Sequence, residues 1–403
     1  MIRWENYEHE KEVKHGNGPL KERKLREKEN QSPKVVIAPK RRPWLPTQAK
    51  AEYDNAGRTF TPSEISVSDY LDYWFDSYVK PNLAYNSQCD YESKIRNHIK
   101  PELGCYRLSS LEPDIIQNWI DKKKSNGMSK SMMKNTLACL SGALNYAVVP
   151  CKYIKSNPCQ YVKIGKTKET QYQKEHREYV LKKADFEKIL TRFGPDTNFY
   201  VPLMIGYHLG TRIAESYGID LLKDVDFEKN EITIQHQLCC ENKIWYYRSP
   251  KYDSVRTIKM DKIIADVLKR EIKSRKKHQL QFGEYFLKTY LKPDGEIFQT
   301  RGADSYPYLE IMPVSARESG ELLTPNSFKY CARIIHNELN NPLFHSHCLR
   351  HTHGTILAEN GVNPKAIMER LGHKDIKTTM NTYVFNTDKM QQDAADIFAR
   401  AIM

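Results

Sequence analysis

The chain has 403 residues, a formal net charge of +13 and 39% hydrophobic residues, so it is long enough for more than one domain and for ordinary cores. Its basic balance, with a pI of about 9.1, points to a polyanionic partner, nucleic acid ahead of an acidic membrane surface. No apolar run approaches the roughly 18 residues of a membrane span. The start "MIRWENYEHEKEVKHG" has no apolar signal core, and nine irregularly spaced cysteines without a C-x-x-C pair read as reduced thiols. The expectation is a cytoplasmic protein, neither secreted nor membrane-spanning.

Residues 1–60 are charge-rich and broken by Pro and Gly, as in "GPLKERKLREKENQSPKVV" and "APKRRPWLP". They read as a basic N-terminal arm with one short helix at 47–57. From Ser66 the pattern changes: "SVSDYLDYWFDSYV" sets Val67, Tyr70, Leu71, Trp74, Phe75 and Tyr78 at helical spacing. "NSQCDYESKIRNHIKPEL" repeats the rhythm and is expected to stop at Pro101. "EPDIIQNWIDKKKSNG" opens on a helix N-terminal signature and ends at Gly127, and "SKSMMKNTLACLSGALNYAVV" is stopped by Pro150. Residues 66–150 thus predict a compact four-helix unit, within a domain over 61–162. The polar, unpatterned segment 163–178 reads as a linker.

A second unit over 179–403 mixes helices with alternating strands. "KKADFEKILTRFG" and "FYVPLMIGYHLGTRIAESYGI" are helical, whereas "EITIQHQLCC", "IWYYRSPK" and "VRTIKM" predict three short strands. "DKIIADVLKREIKSRKKHQLQ" and "NSFKYCARIIHNEL" are further helices. The fold class expected is mainly α with a small antiparallel β-sheet, in more than one domain.

Four pieces of this unit carry polar residues that packing does not explain. In "GYHLGTRIAESYGI" Arg212 and Glu215 stand three apart within an apolar helical context. In "YRSPKYDSVRTIKM" Lys251 lies near a strand end and Arg256 opens the next strand, so "KYDSV" would be a hairpin tip. "FHSHCLRHTHGT" holds His345, His347, Cys348, Arg350, His351 and His353. As a helix it puts His347 beside both Arg350 and His351. Two histidines at i, i+4 can bind zinc, but the glutamate base of the H-E-x-x-H pattern is missing, and a guanidinium beside a metal cation is unfavourable without an intervening anion. Arginine with imidazoles suits a phosphate better. In "ERLGHKDIKTTMNTYVF", Gly372 ends a helix, His373 follows, and Tyr383 comes ten residues later.

Together, Arg212 in "GTRIAE", Lys251 in "SPKYDSVRTI", His347 and Arg350 in "HCLRHTHGT", His373 in "LGH" and Tyr383 in "TTMNTY" resemble, in order and spacing, the catalytic domain of the tyrosine recombinases, the lambda-integrase family. The likeness is nearest to integrases of Gram-positive phages and conjugative transposons. It covers roughly 66–403, with 61–162 similar to the family's helical core-binding domain and 179–403 to its α+β catalytic domain with a C-terminal tail helix. The usual Gly-Leu-Arg box is here Gly-Thr-Arg, with Thr211. The region before residue 47 lacks the clean three-strand pattern of an arm-binding domain, so residues 1–60 read as a degenerate form of that arm-site region.

The resemblance implies a site-specific integrase that cleaves and rejoins DNA through a 3′-phosphotyrosine, to integrate or excise a mobile element or prophage, without cofactor, metal or ATP. It implies Tyr383 as nucleophile, Arg212 and Arg350 as phosphate clamps, His347 and His373 as hydrogen-bonding groups, Lys251 as general acid and Glu215 as support. His351 and His353 are assigned to packing or backbone hydrogen bonds. Implied partners are double-stranded DNA attachment sites, further copies in a tetramer linked by the tail stripe Ala394, Ile397, Phe398, Ala401 and Ile402, an excisionase and a host DNA-bending protein. Two other classes compete: a catalytically silent DNA-binding protein, and a zinc-dependent hydrolase built on the histidine cluster.

Overall fold

The structure, a computed structural model, describes residues 64–165, 171–302, 306–383 and 388–402. The arm expected at 1–60, with its helix at 47–57, lies outside the described residues.

The helical part opens with α1, Val67–Trp74, capped by the Ser66 hydroxyl, which accepts from the Asp69 N–H at 3.0 Å. Val67, Tyr70, Leu71 and Trp74 are buried as the 3.6-residue period requires. The period then breaks. Phe75–Val79 is a π turn that buries Val79 and leaves Tyr78 exposed. A π turn holds an extra residue, so it rotates every later position around the axis. After α2, Lys80–Asn82, the same device recurs: α3, Tyr85–Lys94, passes through the π turn Ile95–Ile99 into α4, Lys100–Leu103. The expected stop at Pro101 is therefore wrong. Pro101 stands directly after the π turn, where the bonding pattern of the helix changes, and the helix runs on through it to Leu103. Helix α5, Pro113–Ser125, buries Ile116, Trp119 and Ile120, and α6, Lys130–Val148, buries Leu140, Ala143 and Leu144 against them. The Tyr70 hydroxyl donates to the Ala143 carbonyl at 2.5 Å, tying α1 to α6. Helix α6 ends before Pro150, as expected.

The segment read as an unpatterned linker holds a helix, α7, Gln171–Glu178. Beyond it, α8 (Lys183–Arg192) and the largely apolar α9 (Tyr200–Leu209) form the centre of a second core. The short α10 is Ile213–Ser216. The strands are β1 Val225–Asp226, β2 Glu231–Ile234, β3 Gln237–Glu241, β4 Ile244–Arg248, β5 Arg256–Lys259, β6 Lys288–Leu291, β7 Glu296–Thr300 and β8 Leu309–Ile311. They form two antiparallel sheets, in the orders β1-β2-β5 and β3-β4-β7-β6-β8.

Two expectations fail here. "EITIQHQLCC" is two strands in different sheets, and the strands flanking "KYDSV" also belong to different sheets, so that loop is a crossing between sheets and no hairpin tip. Sheet pairing is set by distant partners, which local alternation does not encode.

Helices α11 (Lys262–Phe282), α12 (Phe328–Glu338), α13 (Ser346–Glu359), α14 (Pro364–Leu371), α15 (Ile376–Tyr383) and α16 (Asp388–Ile402) complete the chain. Helix α13 packs on α9 so closely that a Cβ on Gly206 would lie 2.8 Å from Leu349 Cδ1. No described helix is long and apolar enough to cross a membrane.

Candidate active site

Two helix ends build the floor. Helices α9 and α14 stop in left-handed C-caps at Gly210 (φ 65°) and Gly372 (φ 67°), a conformation that costs glycine little. The carbonyls of these same glycines receive the two arginines. Arg350 Nη1 donates to Gly210 O at 2.9 Å, and Arg212 Nη2 to Gly372 O at 3.2 Å.

Arg212 is not inside a helix, as its spacing suggested, but is the N-cap of α10. Its backbone N–H donates to Glu215 Oε2 at 3.0 Å and its Nη1 to Glu215 Oε1 at 2.6 Å. Glu215 is fully buried and also accepts from Arg256 Nη2 at 2.8 Å. Burial pushes the Glu215 carboxyl up, but Arg256 and then Arg212 outweigh it and hold it below the usual carboxylate range. The carboxylate is thus a fixed anion between two guanidiniums, which aims Arg212.

Arg350, on α13, is 1% exposed. Its Nε and Nη2 are buried with no hydrogen-bond partner among the described residues. Burial first, and Arg212 next, lower its pKa to about 10. Two buried donors on a cation, beside the Tyr383 phenol, suit an anion.

Tyr383, the last residue of α15, is also 1% exposed. Its ring stacks on His373 at 5.7 Å and 6° and meets His351 at 5.4 Å and 53°. Burial raises the phenol pKa, while Arg350 and Arg212 pull it back. His373 Nδ1 lies 2.9 Å from the hydroxyl of the fully buried Thr379. Burial, then Arg350 and Arg212, lower the His373 imidazole to about 3. His347 keeps one edge open to solvent, yet desolvation of its inner side, followed by Arg350, lowers it to about 4. Burial and the neighbouring guanidiniums thus favour the neutral form of both imidazoles.

Five of the six expected catalytic residues (Arg212, His347, Arg350, His373 and Tyr383) thus surround one point, with Glu215 behind them. Lys251 does not join them. It is exposed on the turn Lys251–Asp253 and makes no hydrogen bond or ion pair among the described residues. That turn is a single unit with two consecutive left-handed residues, Tyr252 (φ 63°) and Asp253 (φ 49°). Lys374 Nζ rests 5.6 Å from the Tyr252 ring, beside His373.

His353 has the expected backbone bond: its Nδ1 lies 2.9 Å from Tyr207 O, and its Nε2 accepts from Arg370 Nε at 3.0 Å. Among the described residues no three His, Cys, Asp or Glu side chains converge as a metal site, so the zinc reading has no ligand set there. All nine cysteines are free thiols.

Arg256 is the residue that sequence reasoning saw and gave no role. A signal was available. Arg256 and Ile258 lie two apart on β5 and so on one face, and Ile258 is core. A cation on a core face requires a partner.

Comparisons with known proteins bear on the family and the fold. Residues 180–390 match the phage integrase family, and residues 66–124 match the phage integrase N-terminal SAM-like domain. A protein named "Tyrosine recombinase XerC-like" from Caldanaerobacter subterraneus subsp. tengcongensis is 24% identical over 86% of this chain and 87% of its own length. The transposase from transposon Tn916 of Enterococcus faecalis is 27% identical over 72% of this chain and 66% of its own length. The fold is that of the Tn1549 transposon integrase solved with transposon right end DNA, with a TM-score of 0.62 at 23% identity, over 83% of this chain and 100% of that one. With more than half of its length matching, the chain belongs to the phage integrase family, the tyrosine recombinases.

Proposed function

We propose that this site-specific DNA recombinase works through Tyr383, with the cationic cup around it binding the scissile phosphate. The observation that carries the reading is Arg350: a buried guanidinium with two unsatisfied donors, next to a buried tyrosine, backed by Arg212 on a fixed carboxylate. The phosphodiester supplies the missing acceptors. Tyr383 Oη attacks phosphorus and gives up its proton to His347. Arg212 and Arg350 hold the non-bridging oxygens, where charge gathers in the transition state, and His373 adds a hydrogen bond. The bond to the 5′-oxygen breaks, and Lys251 supplies the proton that makes it a 5′-hydroxyl. The 3′-phosphate stays on Tyr383 until a 5′-hydroxyl from a second strand reverses the steps. The phosphotyrosine keeps the bond energy, so no ATP is required, and the cationic cluster of Arg212 and Arg350 supplies the charge stabilisation that a metal ion would otherwise give.

In this reading the helical domain at 61–162 and the catalytic domain at 179–403 hold duplex DNA between them, mostly through phosphates. Residues 1–60 are a basic arm. The tail helix α16 carries Ile397, Phe398 and Ile402 exposed, at 61%, 67% and 70%. Such a stripe supports docking on a second protomer within a DNA-bound tetramer. Cytoplasmic residence, an excisionase and a host DNA-bending protein accompany this reading.

The test is recombination between two DNA molecules carrying the ends of the protein's own mobile element, in buffer without ATP or divalent metal. Wild type should give strand-exchanged joints at fixed positions and Arg350→Ala none. Joints that require ATP or metal would contradict the mechanism.

A further inference from the structure

We propose that Arg256 is a positioning residue for proton donation. It fixes the Lys251 turn against the Arg212–Glu215 pair and the loop that carries His373, so that the acid and the phosphate clamp share one frame. This rests on the recombinase chemistry proposed above, with Lys251 as the acid.

Arg256 is the first residue of β5, five positions after Lys251, and its side chain is only 7% exposed. Its guanidinium spends its donors on three separate pieces of chain. Nη2 donates to Glu215 Oε2 at 2.8 Å, Nε to Arg370 O at 2.8 Å, and Nη1 to Ser254 O at 3.2 Å. The first bond reaches the carboxylate that aims Arg212, the second reaches the end of α14 just before Gly372 and His373, and the third reaches back into the Lys251 turn. A Cβ on Gly372 would lie 2.9 Å from Arg256 Nη1, so the guanidinium also packs on the Gly372 cap.

The Lys251 turn needs an anchor. Its two left-handed residues are unfavourable for side chains and persist only where the surroundings fix them. Lys251 itself has no hydrogen bond or ion pair among the described residues to hold it. On the side leading into β5, the turn is held by the Arg256 bond to Ser254 O. The three acceptors are served by three separate nitrogens of one planar fork; a lysine keeps the charge beside Glu215, but its donors sit on a single nitrogen and lack that spread.

The experiment compares wild type, Arg256→Lys, Lys251→Ala and Arg212→Lys on a nicked duplex with an ordinary 5′-oxygen at the cleaved bond and on the same duplex with a bridging 5′-sulfur. A thiolate leaves without a proton donor. The readout is the rate of covalent adduct formation, with melting temperature and DNA binding measured alongside. Arg256→Lys is expected to fold and to bind DNA like wild type. On oxygen DNA it should cleave about 100-fold more slowly, the scale of a lost general acid. The sulfur duplex should restore most of that loss, as for Lys251→Ala. Arg212→Lys, which weakens the clamp, should not be rescued. Equal slowing of Arg256→Lys on both duplexes would overturn the proposal and leave Arg256 as support for Arg212 alone, and wild-type rates on both would overturn it as well. Failure of sulfur to rescue Lys251→Ala would instead refute Lys251 as the acid, a separate result. If Arg256→Lys does not fold, Arg256→Gln, which keeps two donors, takes its place with the same criteria.

Discussion

Two buried residues divide stability from function at this site. Arg350 lacks partners for two of its donors among the described residues, and a buried cation in that state costs free energy. Arg350→Met is therefore expected to leave the melting temperature unchanged or raised, while adduct formation falls by at least about 100-fold, the cost of losing one charge-stabilising donor group. Glu215 is the opposite case. It satisfies two guanidiniums from full burial, and Glu215→Ala leaves them facing each other without an anion. Denaturant unfolding should show a loss of about 3–5 kcal/mol, and cleavage should fall with it.

His353 provides a pH signal. Its Nε2 accepts from Arg370, so protonation would set two donors against each other; burial, then Arg370, lower it to about 4. A folded-state pKa below the ordinary histidine value means the unfolded chain binds more protons. The stabilisation is present above about pH 6.5 and is lost as pH falls toward 4. Unfolding free energy should drop between pH 7 and 5, and the drop should be smaller in His353→Gln. An identical pH slope in the two proteins would refute the assignment.

At the scale of elements, α13 is the spine of the site, carrying His347, Arg350, His351 and His353 on one run. Its surface beneath Tyr383 is shaped by Gly354, where a Cβ would lie 2.6 Å from the tyrosine ring. Gly354→Ala should displace Tyr383 and slow cleavage while DNA binding, read by gel shift, is kept. The sequence made much of this legible. His347 and Arg350 share a helical register, Gly372 marks a helix end, and Tyr383 follows at a fixed distance, because helix period and capping are local properties.

What was not legible depended on distant partners. The strands β6, β7 and β8 lie among prolines, glycines and aromatic residues and, among the described residues, pair with one another and β4. The π turns at Phe75–Val79 and Ile95–Ile99 leave no mark in an apolar period that they themselves shift. The role of Arg256 required knowing which sheet β5 joins.

For the whole molecule, the formal charge of +13 and the phosphate-directed site predict DNA affinity that falls steeply with salt, linearly on logarithmic axes. The exposed stripe on α16 predicts that Ile397→Asp with Phe398→Asp keeps binding to a single site but loses assembly of several protomers on DNA, as read by sedimentation. Assembly that survives both changes would place the contact between protomers elsewhere.

The central claim is that Tyr383 becomes covalently joined to DNA with no metal taking part. The most direct measurement uses a nicked duplex from which the cleaved end escapes, incubated in EDTA with wild type and with Tyr383→Phe. A denaturation-resistant adduct with wild type alone, its 3′-phosphate mapped by mass spectrometry to the peptide containing Tyr383, is the predicted result. An adduct in the Phe variant, or none from a wild type shown to bind that DNA, would contradict it.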